Sequence, residues 1–167
     1  DYYGGNIIDQ PPPVKARFLN EARRLALGFL YWLQTEAPRD DGRGRGYPEL
    51  RLLPEVMGTP DGLSKAPYIR EARRLVAMRR VVQADIAAAS QPGARAAAFA
   101  DAVGIGWYHI DLHGCVGAPE VALYEPTRPF QIPLGALLPR HTRNLIAAAK
   151  NIGTTHVTNG AYRTHPV

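Results

Sequence analysis

Apolar residues recur at three- and four-residue steps through Val14, Phe18, Ala22, Leu25, Phe29 and Leu33, the period of one face of an α-helix. Lys15, Arg17, Asn20, Arg23 and Arg24 fall on the opposite face, Pro11 to Pro13 precede the run and Pro38 closes it. The spacing therefore predicts an amphipathic helix from about Val14 to Ala37, packed through its apolar stripe. Residues 38–67 are rich in Pro, Gly and Asp, with one short apolar patch from Leu50 to Val56, and an irregular surface excursion is expected there. Ala84 to Ser90 predicts a short helix ended by Gln91-Pro92-Gly93, and Ala94 to Ala102 has room for another helical turn or two. From Gly104 to His113 the period falls to two, with Trp107, His109, Asp111 and His113 on one face and Tyr108, Ile110 and Leu112 on the other. That alternation predicts a strand, and Phe130–Leu138 and Asn144–Ala149 read as further short strands. Tyr68 to Ile86 suits helix by its Ala and Arg content and strand by its cluster of Leu75, Val76, Met78, Val81 and Val82. The expected class is α+β, a small antiparallel or mixed sheet with one long amphipathic helix.

Composition narrows the function. A chain of 167 residues with 46% hydrophobic and 21% charged residues is ordinary for a globular domain, so disorder is not the default. No apolar run has the length of a membrane span. Cys115 is the single cysteine, which excludes an internal disulfide and any zinc or iron–sulfur site built on cysteines of this chain. The net charge of +5 rests on twenty Lys and Arg residues spread along the sequence. No basic helix or aromatic signature for nucleic acid accompanies them, so neither nucleic acid nor membrane is expected as a partner.

His109, Asp111 and His113 form the sharpest local cluster, because side chains two apart on a strand lie about 6.5–7 Å apart on one face. They suit a substrate-facing acid/base group, a metal site or a solvated polar face. His109 and His113 stand at H-x-x-x-H spacing, but on a predicted strand rather than the helix that brings such a pair together on one ion, and no metal is expected. Arg70, Arg73 and Arg74 beside Glu71 suit either an anion or a solvated face. No nucleophile turn, P-loop or EF-hand string is present.

Four ordered blocks carry a resemblance: Pro67-Tyr-Ile-Arg-Glu-Ala-Arg-Arg-Leu75, Gly106-Trp-Tyr-His-Ile-Asp-Leu-His113, Arg128 through Pro139, and Asn144 through Val167. Over about the last hundred residues the chain resembles the C-terminal part of FAD-dependent oxidoreductases related to glutathione-reductase-like flavoproteins. The resemblance implies a larger two-domain flavoprotein, with residues 1–143 an incomplete substrate-side region and 144–167 the truncated return strand and turn of the FAD-binding domain. It implies that Arg73 to Val82 is an extended strand and that the strand at Gly104–His113 faces a small-molecule substrate. FAD is the implied cofactor, with Asn151, Ile152, Gly153, Thr155, Asn159, Gly160 and Arg163 as contacts by position. His109, His113 and His156 are the candidate catalytic groups, and His156 and His165 are candidates for the ring face or the substrate side.

Lys150 through Thr155 forms a small-residue segment able to bring N–H donors near a ring that gains electron density on reduction. Broader flavoproteins end the apolar run in Gly-Asp, whereas this chain has Ala149-Lys150-Asn151; a direct carboxylate contact to ribitol is therefore in question. None of the sixteen glycines forms G-x-G-x-x-G, and Gly42-Arg-Gly-Arg-Gly46 has the wrong spacing and runs into Tyr47-Pro48, which marks a loop. The chain begins at Asp1 and its last residues, with Pro166, suit the first turn of a helix. It is expected to be one piece of a longer protein whose missing N-terminal region grips the nucleotide, hydride passing from substrate to flavin in the parent. The compartment is open, with cytoplasm the default, and the oligomeric state is not legible. A different class is also compatible: a non-catalytic module presenting an arginine-rich surface to a polyanion or protein.

Overall fold

The computed structural model describes residues 2–70, 72–118 and 121–163 and divides into two compact units, Asp1–Arg70 and Glu71–Val167. The boundary expected between residues 143 and 144 falls inside the second unit.

In the first unit, α1 spans Pro12–Thr35 and starts on prolines, whose missing N–H groups leave no helical bond unmade in the first turn. Glu36 and Ala37 both donate to the Trp32 carbonyl, and the chain then doubles back, Gly46 N–H bonding Ala37 O at 2.8 Å and Tyr47 N–H bonding Leu33 O at 2.9 Å. Gly42, Gly44 and Gly46 have φ of +68°, +92° and +78°, and a Cβ on Gly46 would overlap the Gln34 carbonyl oxygen. The Gly-Arg-Gly-Arg-Gly string is thus a turn folded against the end of α1, as its spacing indicates. A four-residue helix, α2 at Pro54–Met57, is the one other regular element described in this unit.

The expectation that the α1 stripe packs is met in part. Val14, Phe18, Ala22 and Leu33 are half-buried, but no residue of α1 is fully buried, and Leu25 and Phe29 are 50% and 59% exposed. An apolar stripe needs a facing layer, and the loops and one short helix of this unit cover only some of it.

The second unit holds α3 at Gln83–Ile86, a 3₁₀ turn at Ala88–Ser90, α4 at Leu134–Leu137 and α5 at His156–Tyr162. Two small antiparallel sheets complete it: β1 (Ala102–Gly106) with β4 (Phe130–Pro133), and β2 (Ile110–Leu112) with β3 (Leu123–Glu125). The class is α+β. Val81, Ile86, Phe99, Ile110, Leu112, Phe130, Ile132, Ala136, Ile152, Ala161 and Tyr162 form the core. Among the described residues no helix is long and apolar enough to cross a membrane.

Several expected strands differ. The alternating run splits at residues 107–109 into β1 and β2, because Thr127 holds the break by donating to Tyr108 O at 2.8 Å and accepting from Trp107 Nε1 at 3.4 Å. Ile110 and Leu112 nevertheless point into the core, as the alternation requires. Residues 73–82 form no strand: the chain bends at Met78 and Arg79, and isolated bridges tie Ala77 to Pro139 and Val81 to Thr154. Residues 144–149 are not a strand either. Asn144 takes φ +57°, Leu145 and Ile146 are 53% and 60% exposed, and Ala147 N–H to Leu137 O at 2.9 Å is the one backbone bond recorded there. A strand needs a continuous ladder of partners, and none runs beside this segment among the described residues.

The expected strand at 130–138 stops at Pro133 and turns into α4, since Asp101 accepts from Leu134 N–H through its carbonyl and from Gly135 N–H through its carboxylate, both at 2.8 Å. Residues 94–102 form no helical turn because Ala96 and Ala97 donate instead to Pro129 O and Asp85 O.

Candidate functional site

The closing segment contains a helix that its Asn-Gly dipeptide conceals. Thr155 Oγ1 accepts from Thr158 N–H at 3.1 Å and Thr158 Oγ1 accepts from Thr155 N–H at 2.9 Å, a reciprocal cap that satisfies two donors at the start of α5. Thr158 Oγ1 also reaches Val81 O at 2.9 Å. The helix buries Thr158, Asn159, Gly160, Ala161 and Tyr162, so tertiary packing outweighs the poor helix propensity of Asn159 and Gly160. Tyr162 stacks on Phe130 with ring centroids 4.5 Å apart and donates to Gln131 O at 2.6 Å. Burial, reinforced by Asp85, pushes its phenol above the ordinary range.

Gly160 lets α5 sit directly on β2, for a Cβ there would lie 3.0 Å from both N and O of Asp111. Arg163, at the helix end, then donates through one guanidinium nitrogen to Asp111 O at 2.8 Å and to Asp111 Oδ2 at 3.3 Å. The same carboxylate oxygen lies 3.0 Å from His113 Nε2. Side-chain exposure rises along this row, 2% at Arg163, 24% at Asp111 and 35% at His113. A buried guanidinium is thereby paired, and a histidine is held at the solvent end of the row.

Beside it lies a cavity of about 460 Å³ lined by Val103, Gly104, Ile132 and Leu137 on one side and by Ala147–Lys150, Ile152, Tyr162 and Arg163 on the other. Its walls are mainly apolar, with two cationic side chains, Lys150 and Arg163, among the lining.

The remaining candidates take different places. Ile152, Asn159 and Gly160 are buried within the unit. Gly153 faces protein, since a Cβ would overlap Arg79 O and Ala77 Cβ. Asn151 anchors the 73–82 segment, its side-chain amide donating to Arg73 O and its carbonyl accepting from Leu75 N–H at 3.0 Å. Thr155 is the helix cap. His109 does not join Asp111 and His113; its ring stacks between Tyr108 and Tyr124, at centroid distances of 4.1 and 4.0 Å. His165 and Pro166 lie outside the described residues. Among the described residues no three His, Cys, Asp or Glu side chains gather as a metal site would require.

His156, half-buried on the first turn of α5, has its pKa lowered first by burial and then by the charge of Arg74. Its neutral imidazole is the favoured form. Because the folded value lies below the ordinary 6.5, the stability this provides is complete above that value and is lost as pH falls through the folded one. His156→Gln is expected to flatten this part of the acid-side loss, seen as a smaller difference in melting temperature between about pH 7.5 and 5.5. An unchanged difference would assign the loss to other groups.

Asp111 and Arg163 were legible as candidates, but their union was not, because it depends on the approach permitted by Gly160. Tyr162 and Thr158 went unmarked in the sequence. The Thr155-x-x-Thr158 cap is the signal that announces both. A family described as FAD dependent oxidoreductase matches residues 12–167. No curated protein and no solved structure matches the chain.

Proposed function

The chain belongs to the FAD-dependent oxidoreductase family, and from that premise we propose that it forms the substrate-side region and flavin-contacting edge of a larger, glutathione-reductase-like two-domain enzyme that takes hydride from a small organic substrate. FAD is the cofactor of the family.

The residues present fit the ring end of that cofactor. A flat ring with an apolar body and a carbonyl edge that gains electron density suits an apolar cavity carrying cations, and Lys150 and Arg163 supply these. Nothing in the sequence fits the pyrophosphate end, whose glycine turn is absent. When bound, FAD supplies the two-electron acceptor. The protein supplies orientation and charge: Ile152 and Tyr162 wall the cavity and Lys150 and Arg163 add positive potential, while His113, which is not among the cavity's lining and is held by Asp111, is the proposed acceptor of a proton from the substrate heteroatom. His156, neutral beside Arg74, is a second proton acceptor.

One observation carries this reading. The segment that the resemblance assigns to the cofactor and the strand it assigns to the substrate meet at a direct contact, Arg163 to Asp111, beside the cavity. The test uses protein expressed from the complete reading frame. It should purify yellow with FAD, and an alcohol, amine or hydroxy acid should bleach the flavin without oxygen, several-fold more slowly when the donor carbon bears deuterium. A colourless protein that takes up no added FAD, or bleaching with no isotope effect, contradicts the reading.

A further inference from the structure

We propose that the substrate is a hydroxy acid whose carboxylate is received by Arg163 at the cavity wall; this deepens the flavoenzyme reading and rests on it. The guanidinium of Arg163 makes two hydrogen bonds among the described residues, to Asp111 O at 2.8 Å and to Asp111 Oδ2 at 3.3 Å, and both leave from one nitrogen, Nη2. A guanidinium carries five N–H donors, so those on Nε and Nη1 are uncommitted. Neither nitrogen is a fully buried atom lacking a partner, so the 2% of this side chain left exposed includes them. The space they reach is the cavity, which Arg163 lines.

The charge of the lining chooses among substrates. Lys150 and Arg163 are cations, and none of the lining residues is acidic. The neighbouring carboxylate, Asp111, is outside the lining and engaged by Arg163 and His113. An amine would enter as an ammonium, meet like charge and find no carboxylate to receive it. A plain alcohol would offer the guanidinium only neutral acceptors, and the oxidised flavin ring is itself uncharged. A carboxylate matches the fork of donors through charge-assisted bonds, about twice as strong as neutral ones, while Val103, Ile132, Leu137 and Ile152 take the hydrocarbon part. In the reaction the carbinol carbon gives hydride to FAD and the hydroxyl gives its proton to the protein's acceptor. The C–O bond becomes a carbonyl, so the hydroxy acid leaves as an oxo acid.

The test offers the complete, FAD-loaded protein lactate and mandelate, each beside its primary amide and beside the alcohol and amine that lack the carboxyl group, and follows flavin bleaching without oxygen. The acids should exceed every uncharged or cationic counterpart in kcat/KM by about tenfold or more. Arg163→Gln should bring the ratio of acid to amide towards one, a change that a brace holding α5 to β2 would not produce, since loosening it slows both compounds alike. Amides, alcohols or amines that bleach the flavin as fast as the acids, or a variant that lowers acid and amide equally, overturn the proposal. Should the variant fail to fold, the wild-type ranking decides the matter alone. Bleaching by the alcohols or amines and not by the acids sinks the substrate class while leaving the oxidoreductase reading intact, whereas a flavin bleached by none of these compounds contradicts both, so the two failures are distinguishable.

Discussion

Gly153→Ala is expected to destabilise the second unit by about 3 kcal/mol or more, since inserting a methyl group where backbone already touches backbone forces main-chain displacement. The added Cβ would overlap Arg79 O and Ala77 Cβ and lie 3.2 Å from Ala136 Cα, two segments that meet Gly153 at this point. Gly153 also donates to Ala136 O and accepts from Val81 N–H, both at 2.8 Å, so the chain cannot shift without stretching these bonds. Chemical denaturation of the wild type and variant measures the effect, and an unmoved midpoint would show that the junction is looser than described. The resemblance implies Gly153 as a flavin contact by position. A Cβ there meets Arg79 O and Ala77 Cβ, so a loss of flavin in Gly153→Val is the expected result of disrupting this junction.

Truncating Tyr162 is expected to be comparably severe. Tyr162→Ala removes a ring that is 1% exposed and stacked on Phe130, a change that costs about 3–5 kcal/mol in a packed core. Tyr162→Phe keeps the stack and loses only the bond to Gln131 O, for about 1 kcal/mol, with more if the carbonyl is left unsatisfied. The ratio between the two variants, read from the same denaturation curves, separates packing from hydrogen bonding. Equal losses would put the weight on the hydroxyl.

The elements that the sequence announced most clearly are those set by local chemistry. Three- and four-residue spacing with flanking prolines marked α1 almost to its ends, and the turn at Gly42–Gly46 followed from the spacing of its glycines and the Tyr47-Pro48 that follows them. Alternation correctly put Ile110 and Leu112 inside. Features that depend on partners distant in the sequence were not legible. Thr127 breaks the expected long strand at 107–109, Asp101 converts part of another into α4, and Asn144–Ala149 lacks the neighbours that a strand requires. The candidate site divides the same way. Histidine and carboxylate at alternate positions singled out Asp111 and His113, while the stacking of His109 required Tyr124, and the helix carrying Arg163 required the packing of Gly160 on Asp111.

The most direct measurement of the central claim is amide hydrogen exchange on the complete protein with and without FAD. The account predicts that FAD slows exchange in residues 147–163, where the cavity wall and α5 lie. Slowing elsewhere in the protein with no change across that stretch would contradict it.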